Sequence, residues 1–411
     1  MCTQRNPLQC IVPPYMMKKL VESDNSAARE AALQTLIADA GIRGTRETRA
    51  MTRGVTGSSS GQRSIYDARN SFDLSSAELI RSEGDPAVND DSVNRAFDGF
   101  GTTRDFLEEV FDRNSLDDQG FRLEGYVHVG SNYNNASFDG EIMRFGDGDG
   151  SRFTDFTLSL DIIAHELMHG LTTFTSNFRY WKQPGALNES MSDVFGSLVK
   201  QWANEETADQ ADWLIGAEVF TPGIGMDALR SLSDPGNAYD HPLFGRDPQP
   251  SHMDNYFSGS EDNYGVHINS GIPNKAFYVV ATILGDEAWT TAGHIWYEAL
   301  LSSNRNTQFQ EFADRTYLLA SAYGSEAQTA VAEAWRDVGI RITGIRTGVA
   351  SRRSSSRRVD RAINDATLDA FAKRIEDLAE QVLALSKEVK TLKPKRTTKR
   401  KSKKKHESRA A

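Results

Sequence analysis

A chain of 411 residues has room for two or three domains, and 38% hydrophobic, 9% aromatic and 25% charged residues is the composition of an ordinary globular protein. No run approaches the ~18 unbroken apolar residues of a membrane helix, residues 1–20 lack the apolar core and small-residue cleavage site of a secretory signal, and the only cysteines, Cys2 and Cys10, leave the chain after residue 10 outside any disulfide. The net charge of −10 divides unevenly, with 20 Lys and Arg against 8 Asp and Glu from Arg346 onward and 27 against 49 before it, so an acidic body carries a basic tail. Synthesis in a reducing cytoplasm is expected, with any later release by a route that uses no signal peptide.

In chain order, Cys10-Ile11-Val12-Pro13-Pro14-Tyr15 reads as extended, because its prolines forbid helix. A helix is predicted over Ala27–Ala40, stopped by Gly41 at a C-cap. Arg43, Arg46, Arg49 and Arg53 lead into Gly54–Gly61, almost all Gly, Ser and Thr, which is a flexible and easily cut linker. Residues 1–50 are thus a short pro-segment, with the linker running to about 61. The body is α+β and two-lobed. Its N-terminal lobe, 51–157, mixes a helix at Ala87–Asn114 with strands at Phe121–Val129 and Glu141–Phe145. Its C-terminal lobe, 158–345, is dominated by helical patterns and closes with a run at 329–337 before Gly339, and a cleft is expected between the lobes.

Residues 346–411 differ in kind. A Ser/Arg linker, Ser351–Arg358, precedes apolar residues at Leu368, Phe371, Ile375, Leu378, Val382, Leu385, Val389 and Leu392. That 3-4 spacing is the seam of a coiled coil, which implies self-association through 368–392; a single amphipathic helix packing on the body is the alternative. Pro394 ends the helix, and Lys393–Lys405 holds nine Lys and Arg and no acid. The run suits an anionic partner, without the aromatics that would stack on bases.

Chemistry concentrates at His165-Glu166-Leu167-Met168-His169, preceded by apolar Ile162, Ile163 and Ala164. A spacing of four sets both imidazoles on one helix face, as one tetrahedral zinc ion requires, with Glu166 beside them to deprotonate a water. Alone, the pattern also fits a helix with two structural histidines. The segment Gly185-Ala186-Leu187-Asn188-Glu189-Ser190-Met191-Ser192-Asp193 shifts that balance. Glu189 can supply a third, anionic ligand, and Asp193 can accept the ring N–H of a ligand histidine.

These two segments resemble those of the thermolysin family of metalloendopeptidases, and the resemblance extends over most of residues 60–345. It implies a zinc protease that acts on proteins or peptides, with His165, His169 and Glu189 as ligands and Glu166 as the base. Gly265-Val266-His267-Ile268-Asn269-Ser270-Gly271-Ile272 is similar to the family's segment carrying the transition-state histidine, which makes His267 that residue and Asp262 the carboxylate orienting it. Tyr180 falls at the place of the oxyanion-binding tyrosine, and Arg230 at that of the substrate-carbonyl arginine. Tyr133-Asn134-Asn135-Ala136 resembles the edge segment that holds the substrate backbone through Asn135 and the Ala136 carbonyl. Gly146–Gly150 reproduces the turn before the zinc helix. The same resemblance has Phe153, Phe156, Ile162 and Leu229 lining an apolar pocket for the residue after the cut bond; ordinary core packing is the other reading of these four.

The chain also departs from the family. Asp161 and Asp212 match positions of the double-calcium site, but Lys200, Leu214 and Ala217 stand where acids or acid-rich contacts are expected, so an ion pair is expected in place of the two calcium ions. A smaller calcium site around Thr221, Ile224 and Asp227 still fits the family pattern. The short pro-segment resembles that of the protealysin subgroup, which implies that it occupies the cleft of an inactive precursor. Two readings are open for Cys10, a thiolate capping the zinc or a small buried apolar residue.

Overall fold

The computed structural model describes residues 9–49 and 62–343. The Gly/Ser linker, the heptad seam at 368–392 and the basic run at 393–405 lie outside the described residues. Six strands, β1 (Gln9–Cys10), β2 (Arg63–Ser71), β3 (Glu78–Ser82), β4 (Leu123–Val129), β5 (Ala136–Phe138) and β6 (Met143–Phe145), form one sheet in the order β1-β5-β6-β4-β2-β3. Strand β4 runs parallel to β2 and β6, and the other pairings are antiparallel. In β4, Leu123, Gly125, Val127 and Val129 are buried and the residues between them are not, the two-residue period of a strand with one face on a core.

The described residues also form two small two-stranded sheets and ten α-helices: α1 (Pro14–Val21), α2 (Ser26–Arg49), α3 (Asp91–Phe111), α4 (Leu160–Phe174), α5 (Lys182–Asn204), α6 (Glu261–Asn269), α7 (Gly271–Leu284), α8 (Thr291–Ser302), α9 (Phe309–Ala320) and α10 (Ser325–Asp337). Helix α3 starts where Asp90 accepts from the backbone amides of Ser92 and Val93, a cap worth about 1 kcal/mol. It buries Val93, Ala96, Phe97, Phe100 and Leu107 at helical spacing.

Helix α4 is buried from Asp161 through Thr172, and α5 from Pro184 through Gln201. Their backbones come close at Gly196, where a Cβ would stand 2.7 Å from the Asp161 carbonyl oxygen and 3.3 Å from the His165 amide nitrogen. Any side chain there would push the two helices apart.

Two sequence expectations are corrected. Helix α1 begins at Pro14, inside the stretch read as extended. A proline in the first turn loses no hydrogen bond, because its N–H would have no partner there, and its fixed φ suits the helix. Helix α2 passes through Gly41 and ends at Arg49. Gly41 is not left-handed, so it does not cap, and a helical glycine costs only about 1 kcal/mol relative to alanine.

Candidate active site

Helix α4 turns His165 and His169 to one side, and α5 brings Glu189 opposite them; all three are fully buried. Glu189 lies two turns into α5, which opens at Lys182. The facing Nε2 atoms of the two histidines are 3.1 Å apart, and each lies 3.6 Å from a Glu189 oxygen.

The outer ring nitrogens explain this orientation. His165 Nδ1 lies 2.9 Å from an Asp193 oxygen, and His169 Nδ1 lies 2.8 Å from Asn188 Oδ1 and 3.0 Å from Ser192 Oγ. Acceptors at Nδ1 hold the proton there and leave each Nε2 lone pair facing inward. Burial, then the neighbouring His165, push the His169 pKa well below its ordinary value, so the ring is neutral. Two imidazole nitrogens beside a carboxylate, out of water, are the donor set of a zinc ion. The expected ligands therefore meet. Asn188 and Ser192 were not expected to orient His169; their place beside Glu189 in the motif was the available signal.

Glu166, next to His165, is buried with no hydrogen bond completed at either oxygen. Burial, then the Glu189 carboxylate, push its pKa well above the usual range, while the amides of Phe138 and Ile11 and the Arg230 guanidinium favour its charge. Tyr180 donates to Glu189, and its hydroxyl lies 3.1 Å from His267 Nε2.

Asp262 accepts from both the backbone amide (2.8 Å) and Nδ1 (2.6 Å) of His267. Burial opposes a charged His267 ring, but Asp262 and Glu189 outweigh it and raise its pKa to about 9. A divalent cation on Glu189 would draw that value down. Four successive left-handed residues, Asp262 to Gly265, turn the chain so that Asp262 reaches His267. Gln249 Nε2 donates to the His267 carbonyl at 2.8 Å, and no sequence signal marked it.

Arg230 lies on β8 (Arg230–Ser231), which pairs with β7 (Leu214–Ile215). Its guanidinium is held by Asp193 and donates from Nη1 to the Ile11 carbonyl at 2.8 Å. Asp193 thus serves His165 and Arg230 together, and Asn274 Nδ2 donates to it at 2.9 Å. Burial works against both charges of the Arg230–Asp193 pair, and their mutual attraction exceeds it: the Asp193 pKa is depressed and that of Arg230 raised.

The pro-segment occupies the cleft. Strand β1 extends the sheet beside β5, with Cys10 opposite Ser137. The Ile11 amide donates to the Ala136 carbonyl at 3.2 Å, the Val12 amide to Asn135 Oδ1 at 2.9 Å, and His267 Nε2 lies 3.1 Å from the Cys10 carbonyl. The Cys10 thiol points to the Val12 carbonyl, 3.8 Å away, and is outside the His165–His169–Glu189 cluster. The Cys10 carbonyl is the atom that meets His267.

From α2, Asp39 accepts from Tyr133 and Asn135, and Thr35 from the Asn134 amide. Phe153, Phe156, Ile162 and Leu229 are buried in one apolar cluster with Ile11. Phe153 is also committed to aromatic contacts with Phe156, Phe220 and Phe244.

At the corner of Asp161 and Asp212, where an ion pair is expected in place of two calcium ions, Lys200 supplies it. Lys200 Nζ donates to Asp161 Oδ2, Asp212 Oδ1 and the Leu214 carbonyl, each at 2.9 Å. An ammonium at the centre of these oxygens does not fit calcium. In the loop expected to bind a third ion, the Thr221 hydroxyl donates to the Ser151 carbonyl and the Ile224 amide to the Thr221 carbonyl, with Asp227 exposed.

Comparison with known proteins gives concordant matches. Residues 45–173 match the family described as "Thermolysin metallopeptidase, catalytic domain", and residues 176–340 its "alpha-helical domain". An extracellular metalloprotease of Pectobacterium carotovorum is 43% identical over 339 residues, which cover 82% of this chain and 97% of that protein. An extracellular minor metalloprotease of Serratia marcescens is 38% identical, over 68% of this chain and 78% of its own. The structure of the precursor of protealysin, a metalloproteinase from Serratia proteamaculans, is similar with a TM-score of 0.74 and 44% identity, over 81% of this chain and 99% of that one.

Proposed function

The chain belongs to the thermolysin family of metallopeptidases, matched across both family domains, and from that premise we propose which of its residues do the work. It is a zinc metalloendopeptidase with a sheet-rich N-terminal and a helical C-terminal domain, made as a zymogen of the protealysin-like kind. The domains are taken to divide near residue 157, after a pro-segment of residues 1–50.

His165, His169 and Glu189 hold the ion and leave one coordination position open. When bound, zinc supplies a Lewis acid for the scissile carbonyl and acidifies a water. Glu166 takes the proton of that water and hands it to the leaving amine. His267 and Tyr180 donate to the oxygen on which charge develops. Asp193 and Asp262 are positioning residues that fix ring orientation. Asn135, the Ala136 carbonyl and Arg230 hold the substrate backbone, and Phe153, Phe156, Ile162 and Leu229 favour a hydrophobic residue after the cut bond. Thr221, Ile224 and Asp227 remain the candidate calcium loop.

One observation carries this reading: two inward-facing imidazole lone pairs meet a buried carboxylate, with an unpaired Glu166 beside them. The test is casein hydrolysis after removal of the pro-segment. A zinc chelator should abolish it and about one equivalent of zinc should restore it. Hydrolysis that persists in zinc-free protein would refute the reading.

The pro-segment acts as the enzyme's own inhibitor, released by cleavage between about Arg43 and Gly61, where Met51 and Val55 offer apolar residues after a cut. No helix among the described residues is long and apolar enough to cross a membrane, and two relatives are named extracellular. We infer synthesis in the cytoplasm and later release from the cell. Residues 368–392 would self-associate and 393–405 bind an anionic partner. Light scattering on the full chain and on one ending at Ile345 tests the first of these, and two monomers at micromolar concentration would refute it.

A further inference from the structure

We propose that the Cys10–Ile11 peptide bond of the pro-segment is itself a substrate, lying in the productive register and cut in place by the same centre. The proposal rests on the hydrolase reading above. Strand β1 lies on the β5 edge as a bound peptide would, and hydrogen bonds fix its register on both sides of one bond. On the acyl side, the Cys10 carbonyl faces His267 Nε2 at 3.1 Å, the donor assigned to the oxyanion. On the amine side, the Ile11 amide donates to Ala136, the Ile11 carbonyl accepts from Arg230, and the Val12 amide donates to Asn135. These are the groups assigned to a substrate, used in order along three consecutive residues.

Ile11 is fully buried and apolar, the kind of residue expected just after the cut. In the step, the oxygen of a water adds to the Cys10 carbonyl carbon and the C–N bond breaks. One water proton passes through Glu166 to the Ile11 nitrogen. The second leaves the new carboxylic acid for the same amine, giving a Cys10 carboxylate and an Ile11 ammonium.

This cut does not by itself open the cleft. Beyond Ile11 the chain stays anchored by Arg230 and Asn135, by fully buried Met16, Met17 and Leu20 on α1, and by Thr35 and Asp39 on α2. On the other side of the bond, Gln9 and Cys10 are held by the β1 pairing, by the His267 contact and by the thiol contact to the Val12 carbonyl. Trimming at Cys10–Ile11 is therefore distinct from the linker cut that frees the whole pro-segment.

The test uses zinc-loaded full-length protein, followed by intact mass and N-terminal sequencing under denaturing conditions, with casein hydrolysis by the processed protein in parallel. A species beginning at Ile11 should accumulate at a first-order rate that does not change over about 100-fold dilution, as an intramolecular cut requires. Glu166→Gln protein should not form it. In that uncut variant the Ile11 and Val12 amides should exchange with deuterium at least about 100-fold more slowly than in an unfolded chain. Casein hydrolysis with residues 1–10 still joined to Ile11 would overturn the proposal and leave the protease reading standing. Unprotected Ile11 and Val12 amides would also overturn it. Absence of both casein hydrolysis and trimming would remove the two together.

Discussion

Helices α4 and α5 hold two clusters of buried polar groups, one turn of α4 apart, and the two are built for different ends. At Asp161, the Lys200 ammonium closes the cluster with three oxygen contacts at 2.9 Å. At His165, four residues on, Glu189 faces the His165 and His169 rings, and the cation nearest to it is the His267 ring, whose Nε2 lies 3.4 Å from a Glu189 oxygen. Burial works against the Lys200 charge, yet Asp161 and Asp212 outweigh it and hold its pKa above the ordinary lysine value. The first cluster completes itself from the chain and contributes to folding. The second brings two imidazole nitrogens and a carboxylate within 4.8 Å of one another, the donor set that a zinc ion takes. Structural and catalytic cation sites have become separate in this protein, although the same two helices carry both.

The largest effect on this contrast should come from Glu189→Ala. Removing the only anionic ligand should strip bound zinc and lower peptide hydrolysis by at least about 10³-fold, measured by metal analysis and peptide assay on the same sample. Zinc retained at one equivalent would mean that Glu189 is not a ligand.

Next is Lys200→Met. It leaves Asp161 buried without a counter-charge, so unfolding in urea should show a loss of about 3–5 kcal/mol with zinc still bound. The unaltered protein should show no stability change between calcium and a calcium chelator. Dependence on calcium would show that the lysine has not replaced the ions.

The smallest effect concerns a third, half-exposed cluster, in which His128 lies between Asp147 and Asp90. The Asp147 hydrogen bond, against burial and helped by Asp90, raises the His128 pKa to about 9. A raised pKa favours the charged ring in the folded state. The stabilisation is therefore complete below about pH 6.5, the ordinary value, and is lost as pH rises through 9. With allowance for exposure it amounts to about 1–2 kcal/mol. His128→Asn should flatten stability across that window in chemical denaturation, and an unchanged slope would remove this role.

Local chemistry was legible in the sequence. The spacing of four set His165 and His169 on one face of α4, the second motif marked Glu189 as their companion, and Lys200 within an acidic pattern pointed to an ion pair. The Leu214 carbonyl on Lys200 and the four left-handed residues before His267 carried no signal, because both are backbone features set by the surrounding fold. The register of the pro-segment was also hidden. Its contacts join residues 123, 219 and 257 positions apart, and no local periodicity encodes such pairings. Pro14 and Gly41 misled for a simpler reason. Both residues disfavour a helix interior, but proline is tolerated in a first turn and a single glycine costs less than a long helix gains.

The most direct test of the account is Glu166→Gln in the full-length protein, assayed for zinc and for peptide hydrolysis in one preparation. The account predicts about one zinc per chain, a chain that stays at full length, and hydrolysis lower by about 10²–10⁴-fold or more, since the base is lost and no ligand is touched. A Glu166→Gln protein that hydrolyses peptides at close to the unaltered rate would contradict it.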